Sequence, residues 1–162
     1  MYHFDKLKTE NLALIIIDMQ DSFLKTKEKL ELIEKQIPVI KFCMMKNIPI
    51  AIFEYDGEDT NILIKESLLN YTYKKTFIKH TDDAFYVRYF NIWLEINKIN
   101  TILLMGVNAC CCVYDTAKSI TKNGFNLITI GDLIAGYCPD CLEPTKSWYA
   151  ENGVYFESLK NI

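Results

Sequence analysis

Three chemically capable groups follow three separate apolar runs of the sequence. Asp18 comes directly after Leu12–Ile17, Lys79 ends a shorter run, and the triplet Cys110–Cys112 follows Thr101–Met105. A thiol, a carboxylate and an ammonium are groups of covalent catalysis, in which a base activates a nucleophile. Each has a plainer interpretation on its own: a cap for the aspartate, a solvated side chain for the lysine, and apolar packing for the cysteines. Their shared position after apolar runs favours the catalytic reading.

The last cysteine of the triplet begins a helical pattern. Apolar spacing after Cys112 continues through Tyr114, Ala117 and Ile120 to a stop at Asn123–Gly124. A helix N-terminus presents unpaired N–H groups and a partial positive charge, so we expect it to lower the pKa of this thiol and to hold an oxyanion. Asp18 would then accept the thiol proton.

The apolar runs alternate with helical spacing along most of the chain. Runs typical of strands are Leu12–Ile17, Ile48–Phe53, Thr76–Lys79, Thr101–Met105, Asn126–Ile130 and Val154–Phe156. Helical stripes run from Leu30 to Met44, where Pro38 is expected to kink or restart the helix, and from Phe85 to Ile96. This alternation predicts an α/β fold: three layers, α/β/α, around a mostly parallel six-stranded sheet. In such a sheet the functional residues belong at the carboxyl ends of the strands.

Length and composition exclude several classes of function. The chain has 162 residues, 50% of them hydrophobic, and a formal net charge of -3, which suits one domain spanning 1–162. An acidic chain without a basic run argues against nucleic acid or a membrane surface as a partner. The N-terminus carries no secretory pattern, so we expect a cytoplasmic protein with reduced thiols and no disulfide framework.

The motifs around these residues resemble the isochorismatase-like cysteine hydrolases. The resemblance rests on the segments from Leu14 to Phe23, Lys79 with Ala84-Phe85, and Gly106 to Ala117, and Gly131 to Ala135 also fits. The spacing G-V-x-x-x-x-C-V-x-x-T-A is the most specific of them. The resemblance covers nearly the whole chain and implies an amidohydrolase of a small-molecule amide or carbamoyl compound, working without a cofactor.

The resemblance also implies roles for particular residues. It assigns a triad of Asp18, Lys79 and Cys112, and an oxyanion hole formed by the backbone N–H groups of Asn108 and Cys112. It implies a cis peptide between Val107 and Asn108. Gln20, Phe23 and Phe85 match positions that line the substrate pocket, although core packing explains these three side chains equally well. The first two cysteines of the triplet fall on variable positions and read as packing or pocket-wall residues, and Cys43 reads as helix core.

The sequence departs from the family pattern at two places, and these differences restrict the expected type of site. Nicotinamidases of this family hold a metal with an aspartate and several histidines, but His3 and His80 are the only histidines here, so we expect no metal site of that kind. His80 itself reads as a surface residue. The segments after the first two strands are short, which implies an open pocket or one completed by a neighbouring subunit, and a homo-oligomer is expected.

Two further hypotheses remain open from the sequence. Cys138 and Cys141 have C-x-x-C spacing, so the chain could be a thiol-based redox or metal-binding protein. It could also be a member of the family that has lost catalysis, although all three triad residues are present.

Overall fold

A computed structural model describes residues 4–136 and 139–162, the second range with side chains from residue 142 onward. Its six strands are β1 (Leu12–Ile17), β2 (Ile50–Tyr55), β3 (Lys74–Lys79), β4 (Thr101–Val107), β5 (Asn126–Ala135) and β6 (Val154–Phe156). They form one sheet in the order β3-β2-β1-β4-β5-β6, and every neighbouring pair is parallel. The predicted α/β class with a parallel six-stranded sheet is confirmed.

Five α-helices connect these strands: α1 (Lys27–Met45), α2 (Ile62–Ser67), α3 (Phe90–Ile96), α4 (Cys112–Lys122) and α5 (Pro139–Asn152). The residues buried in α1 and α2 pack on one face of the sheet, and those of α3, α4 and α5 pack on the other. Strand β1 serves both faces, because Leu14 and Ile16 belong to the first core and Ile15 and Ile17 to the second. Successive side chains of a strand point to opposite faces of the sheet. Because both faces of the central strands are apolar, helices cover both of them and the fold has three layers.

Several element boundaries differ from the sequence-based expectation. Helix α1 continues through Pro38 without a break, because a proline removes a single backbone donor while the buried face of the helix stays packed on the sheet. The stripe from Phe85 to Ile96 divides into a short 3₁₀ turn, Ala84–Tyr86, and α3. Strand β5 runs on to Ala135, past Gly131 and Asp132, after a shift in its register with β4. A glycine and an aspartate at that shift interrupt the apolar run, which is why the sequence predicted a strand end there.

Strands β1 and β4 approach closely just before the residues that follow them. Gly106 has φ of +132°, and a Cβ atom built on it would lie 2.1 Å from the carbonyl oxygen of Ile17. Only glycine fits this backbone and this contact. The close approach brings the segment after β1 beside the segment after β4.

Within the described residues, the helices are all too short or too polar to cross a membrane.

Candidate active site

Asp18 and Lys79 form a buried ion pair at the carboxyl edge of the sheet. Asp18 directly follows β1 with φ of 52°, a left-handed conformation, and its N–H donates to the carbonyl of Phe53. Lys79 is the last residue of β3, and its Nζ lies 2.8 Å from Asp18 Oδ2. The two side chains are 1% and 0% exposed. Oδ1 of Asp18 has no hydrogen-bond partner among the described residues, so the carboxylate depends on its contact with Lys79. Loss of either partner would leave the other charge buried and uncompensated.

Other groups besides Asp18 also contact the Lys79 ammonium. Its Nζ donates to the carbonyl oxygens of Thr81 (3.0 Å) and Asp82 (3.3 Å) and lies 4.7 Å from the centre of the Tyr55 ring. These contacts leave the ammonium with several partners besides the carboxylate. Lys79 is therefore a fixed positive charge, and it differs from the solvated lysine that its sequence type alone suggests.

Cys112 is the first residue of α4, and the loop before it is tightly held. The peptide bond between Val107 and Asn108 is cis, as the resemblance implied. The carbonyl of Asn108 accepts from the N–H groups of Cys111 (2.9 Å) and Val113 (3.2 Å). On the far side of the loop, the buried hydroxyl of Tyr149 donates to the carbonyl of Ala109 at 2.8 Å. The nucleophile candidate thus sits on a fixed turn, with only 7% of its surface exposed.

The electrostatics around Cys112 differ from the sequence-based expectation. Burial, and then the negative charge of Asp18, raise the pKa of the Cys112 thiol well above its usual range, and the opposing charge of Lys79 does not overcome them. Burial also raises the pKa of Asp18 above 3.8, although Lys79 and the thiol act in the opposite direction. The expected lowering of the thiol pKa is therefore wrong for the resting protein, because desolvation and the neighbouring carboxylates favour the protonated thiol.

One further group at the site escaped the sequence analysis. The Sγ atom of Cys112 donates to Oδ1 of Asp82 at 3.3 Å. Asp82 is exposed and lines a cavity of about 450 Å³ between the 81–86 segment and the outer face of α4. Its place three residues after Lys79 was the available signal, but the path of the loop that turns it toward the thiol cannot be read from spacing.

The three residues expected to line the pocket have definite structural partners. Gln20 is buried, and its side-chain amide donates a hydrogen bond to the carbonyl of Tyr55 and accepts one from the N–H of Tyr55. It therefore connects the segment after β1 to β2. Phe23 packs edge-on against the same tyrosine at 6.1 Å. Phe85 packs in the second core, with its ring 5.1 Å from that of Phe90. These contacts agree with the core-packing reading, and the substrate-binding role stays a prediction.

The remaining cysteines have unequal environments. Cys43 is fully buried in α1, and burial raises its pKa to about 12. Cys111 is a free thiol that precedes α4. Cys110 is disulfide-bonded, so the expectation of reduced thiols is wrong at this position, and Cys110 is not simply a packing residue. The C-x-x-C hypothesis concerns Cys138 and Cys141, whose side chains lie outside the described part of the chain.

The described residues contain no group of three or more histidine, cysteine or acidic side chains placed to hold a metal ion. His80 is largely exposed, and its Nδ1 lies 2.7 Å from Asp56 Oδ1. This confirms the surface position expected for His80. His3 lies outside the described residues.

Comparisons with known proteins agree with the motifs. The sequence model of a family described as "Isochorismatase domain" matches residues 12–146. The chain is 25% identical over 176 residues to isochorismatase family protein 2A of Dictyostelium discoideum, covering 97% of this chain and 82% of that protein.

Solved structures with the same fold carry different activities. The nicotinamidase of Staphylococcus aureus superimposes with a TM-score of 0.82 at 16% identity, over 90% of this chain and 98% of that one. The MAR1 ribonuclease of Caenorhabditis elegans superimposes with a TM-score of 0.84 at 20% identity, over 95% of this chain and 80% of that one. Since one fold hosts several chemistries, the activity has to be argued from the site.

Proposed function

This chain belongs to the isochorismatase family of hydrolases, and we propose that it cleaves the C–N bond of a small amide or carbamoyl compound through a thioester on Cys112. The proposal depends on the position of this thiol. It lies at the start of α4, where the charges of the buried pair Asp18 and Lys79 act on it. A nucleophile beside a base, with the base oriented by a third group, is the arrangement that covalent catalysis requires.

Asp18 is the proposed general base and later the general acid. The raised pKa of the thiol means that the resting sulfur keeps its proton, so attack needs a base in place rather than a preformed thiolate. Lys79 holds the Asp18 carboxylate in position. Its positive charge also stabilises the negative charge that develops on sulfur.

The proposed steps conserve atoms and charge. Asp18 takes the thiol proton while Sγ of Cys112 attacks the carbonyl carbon, forming a C–S bond and an oxyanion. Collapse of this intermediate breaks the C–N bond, and the amine or ammonia leaves with the proton from Asp18. Water activated by Asp18 then attacks the thioester, releasing the carboxylic or carbamic acid and returning the proton to sulfur. None of these steps calls on a metal or another cofactor.

The oxyanion is proposed to be bound by the backbone N–H groups of Asn108 and Cys112. The N–H of Cys112 belongs to the first turn of α4, where backbone donors have no partner inside the helix. Donors that are already fixed in position stabilise a tetrahedral oxyanion well, because they need not reorganise when the charge develops. The turn is held on both sides, by the Asn108 carbonyl and by Tyr149, which supports this role.

Intact-mass spectrometry tests the thioester directly. The protein is incubated with a panel of small amides and ureides, and we expect an acyl or carbamoyl adduct that hydroxylamine removes. Cys112→Ala should form no adduct and lose turnover. Cys111→Ala is the matched control, because it removes the neighbouring free thiol, and it should keep both. Full turnover in Cys112→Ala would contradict the proposal.

A thiol-redox role is the second candidate, and the disulfide at Cys110 favours it. A disulfide two residues from Cys112 is unusual for a cytoplasmic enzyme, so the cytoplasmic location also stays a sequence-based prediction. Titration of thiols and turnover, before and after reduction, separates the candidates. A redox role requires that reduction change turnover and that Cys110→Ser remove the change. Equal turnover in both states would reject it.

A further inference from the structure

The exposed carboxylate of Asp82 is in hydrogen-bond contact with the proposed nucleophile. Its Oδ1 accepts a hydrogen bond from the Cys112 thiol and lies 3.3 Å from Sγ, and the same residue lines the open cavity of about 450 Å³. A substrate that places its carbonyl carbon against Sγ must therefore bring neighbouring atoms close to this carboxylate.

Of the other charged groups that line the cavity, Lys122 has no ion pair among the described residues, whereas Asp115, Lys118 and Asp83 have partners. Asp115 is paired with Lys118 at 2.6 Å. Asp83 accepts hydrogen bonds from the backbone N–H of Phe85 and from the hydroxyl of Ser119. Within residues 4–136 and the described side chains after them, no lysine, arginine or histidine nitrogen pairs with the carboxylate of Asp82. Its charge is free to act on a bound molecule.

We propose that Asp82 determines substrate charge, so that the site prefers small amides carrying a cationic group close to the scissile carbonyl and rejects anionic ones. This inference rests on the proposed function of Cys112 and names the substrate class of that site. The role is one of specificity, since Asp82 contacts the substituent of the substrate while Asp18 carries the proton.

Proton transfer from Cys112 to Asp18 strengthens the preference for a cationic substrate. In the resting protein the thiol donates a hydrogen bond to Asp82. When the proton moves to Asp18, that donor is lost, and a negatively charged sulfur faces a negatively charged carboxylate. Like charges at this distance repel each other. A cation on the substrate offsets the repulsion at the moment it arises, whereas an anion adds to it.

Charged thiol reagents test the inference without any turnover. Methanethiosulfonates with a 2-aminoethyl, a methyl or a 2-sulfonatoethyl group each transfer that group to sulfur as methanesulfinate leaves. Rates at Cys112 are measured by mass spectrometry in a Cys111→Ala background, and each rate is divided by the rate of the same reagent with glutathione. The variant is Asp82→Asn. The control is Asp59→Asn, which neutralises an exposed aspartate that pairs with Lys65 and lines a different cavity.

The expected result is a cationic-to-anionic rate ratio that exceeds one in the parent and falls about tenfold in Asp82→Asn. The neutral reagent corrects for any change in thiol reactivity, and Asp59→Asn should keep the parent ratio. An equal ratio in the parent and in Asp82→Asn would overturn the inference.

Turnover of size-matched amides gives the second measurement. Glycinamide, propionamide and malonamate place a cation, a methyl group and an anion at similar distances from the carbonyl. We expect kcat/KM to fall in that order and Asp82→Asn to narrow the range. If acyl adducts form on Cys112 but the three amides show no charge preference, this inference is contradicted and the proposed function stands. A charge preference toward the reagents without any acyl adduct would count against the proposed function alone.

Discussion

At the scale of single residues, Asp18 is the group whose ionisation should limit activity at low pH. In the proposed mechanism Asp18 must be ionised to take the thiol proton, and burial raises its pKa above 3.8 against the opposing effect of Lys79. We therefore expect the acid limb of a kcat/KM profile to have its midpoint above pH 3.8. The negative charge of Asp82 contributes to the raised value, so Asp82→Asn should move the limb to lower pH.

The measurement is a pH profile of kcat/KM on the best substrate of the amide panel. Asp59→Asn serves as the control and should leave the midpoint in place. A midpoint at or below 3.8, or a shift to higher pH in Asp82→Asn, would argue that another group limits activity at low pH.

Gly106 gives a second residue-scale prediction. Gly106→Ala places a Cβ 2.1 Å from the carbonyl oxygen of Ile17 at a φ of +132°, and neither strand can move without disturbing Asp18. We expect a loss of about 4 kcal/mol or more in the free energy of unfolding, or no soluble protein. Gly124→Ala is the matched control, because its φ is +83° with no atom within 4 Å of the added Cβ. It should cost only about 1–2 kcal/mol.

Urea denaturation of both variants makes this comparison. Similar losses in the two variants would mean that the close approach of β1 and β4 contributes little beyond the backbone conformation.

The sequence predicted Asp18, Lys79 and Cys112 because residues after parallel strands meet at one edge of a sheet. It missed Asp82, whose approach to the thiol depends on loop dihedrals that spacing does not encode. It also gave the wrong direction for the thiol pKa. Helix position is visible in a pattern, but the depth of burial and the number of nearby carboxylates are properties of the folded site.

At the scale of elements, Asp132 joins three parts of the fold. It lies in β5, pairs with Lys35 of α1 at 2.8 Å, and accepts from Ser158 and from the N–H of Leu159 near the C-terminus. Burial alone would raise its pKa, but these hydrogen bonds outweigh burial and lower it below 3.8. A lowered pKa in the folded state means that ionised Asp132 stabilises the fold above the unfolded pKa, and that this stability is lost as pH falls.

Asp132→Asn should therefore lower the free energy of unfolding by about 1–3 kcal/mol at pH 7. The difference from the parent should shrink as pH falls through the pKa of Asp132, since the carboxyl is then neutral in both states of the parent. Urea denaturation at a series of pH values measures this. A difference that stays constant down to the lowest pH would show that the charge is not what stabilises the contact.

The elements with continuous apolar runs were the ones predicted well. All strands except β5 were placed within two residues at each end. The signal is strongest in β1 and β4, where burial on both faces leaves a continuous apolar run. Helix α2 has only six residues and too few turns to show a period. Helix α5 contains Pro144 and carries a weak apolar stripe, so tertiary packing rather than pattern decides its extent.

At the scale of the whole molecule, the expected homo-oligomer stays a prediction. Several large apolar side chains on the described surface are exposed, including Tyr86 at 78% and Ile96 at 74%, and exposed apolar surface favours association. Sedimentation velocity at micromolar concentration should show a species larger than 18.9 kDa. A single monomeric boundary at all concentrations would contradict it.

The order of the strands places the residues of the proposed triad on strands with different numbers of neighbours. Asp18 and Cys112 follow β1 and β4, which each have neighbours on both sides, whereas Lys79 ends β3, which pairs with β2 alone. An edge strand opens by local fluctuations of lower free energy than a central one. On heating, this chain should become inactive while most of its structure is intact. Amide hydrogen exchange should run faster along β3 than along β1 and β4, so we expect the edge strand, rather than the centre of the sheet, to limit how long activity persists.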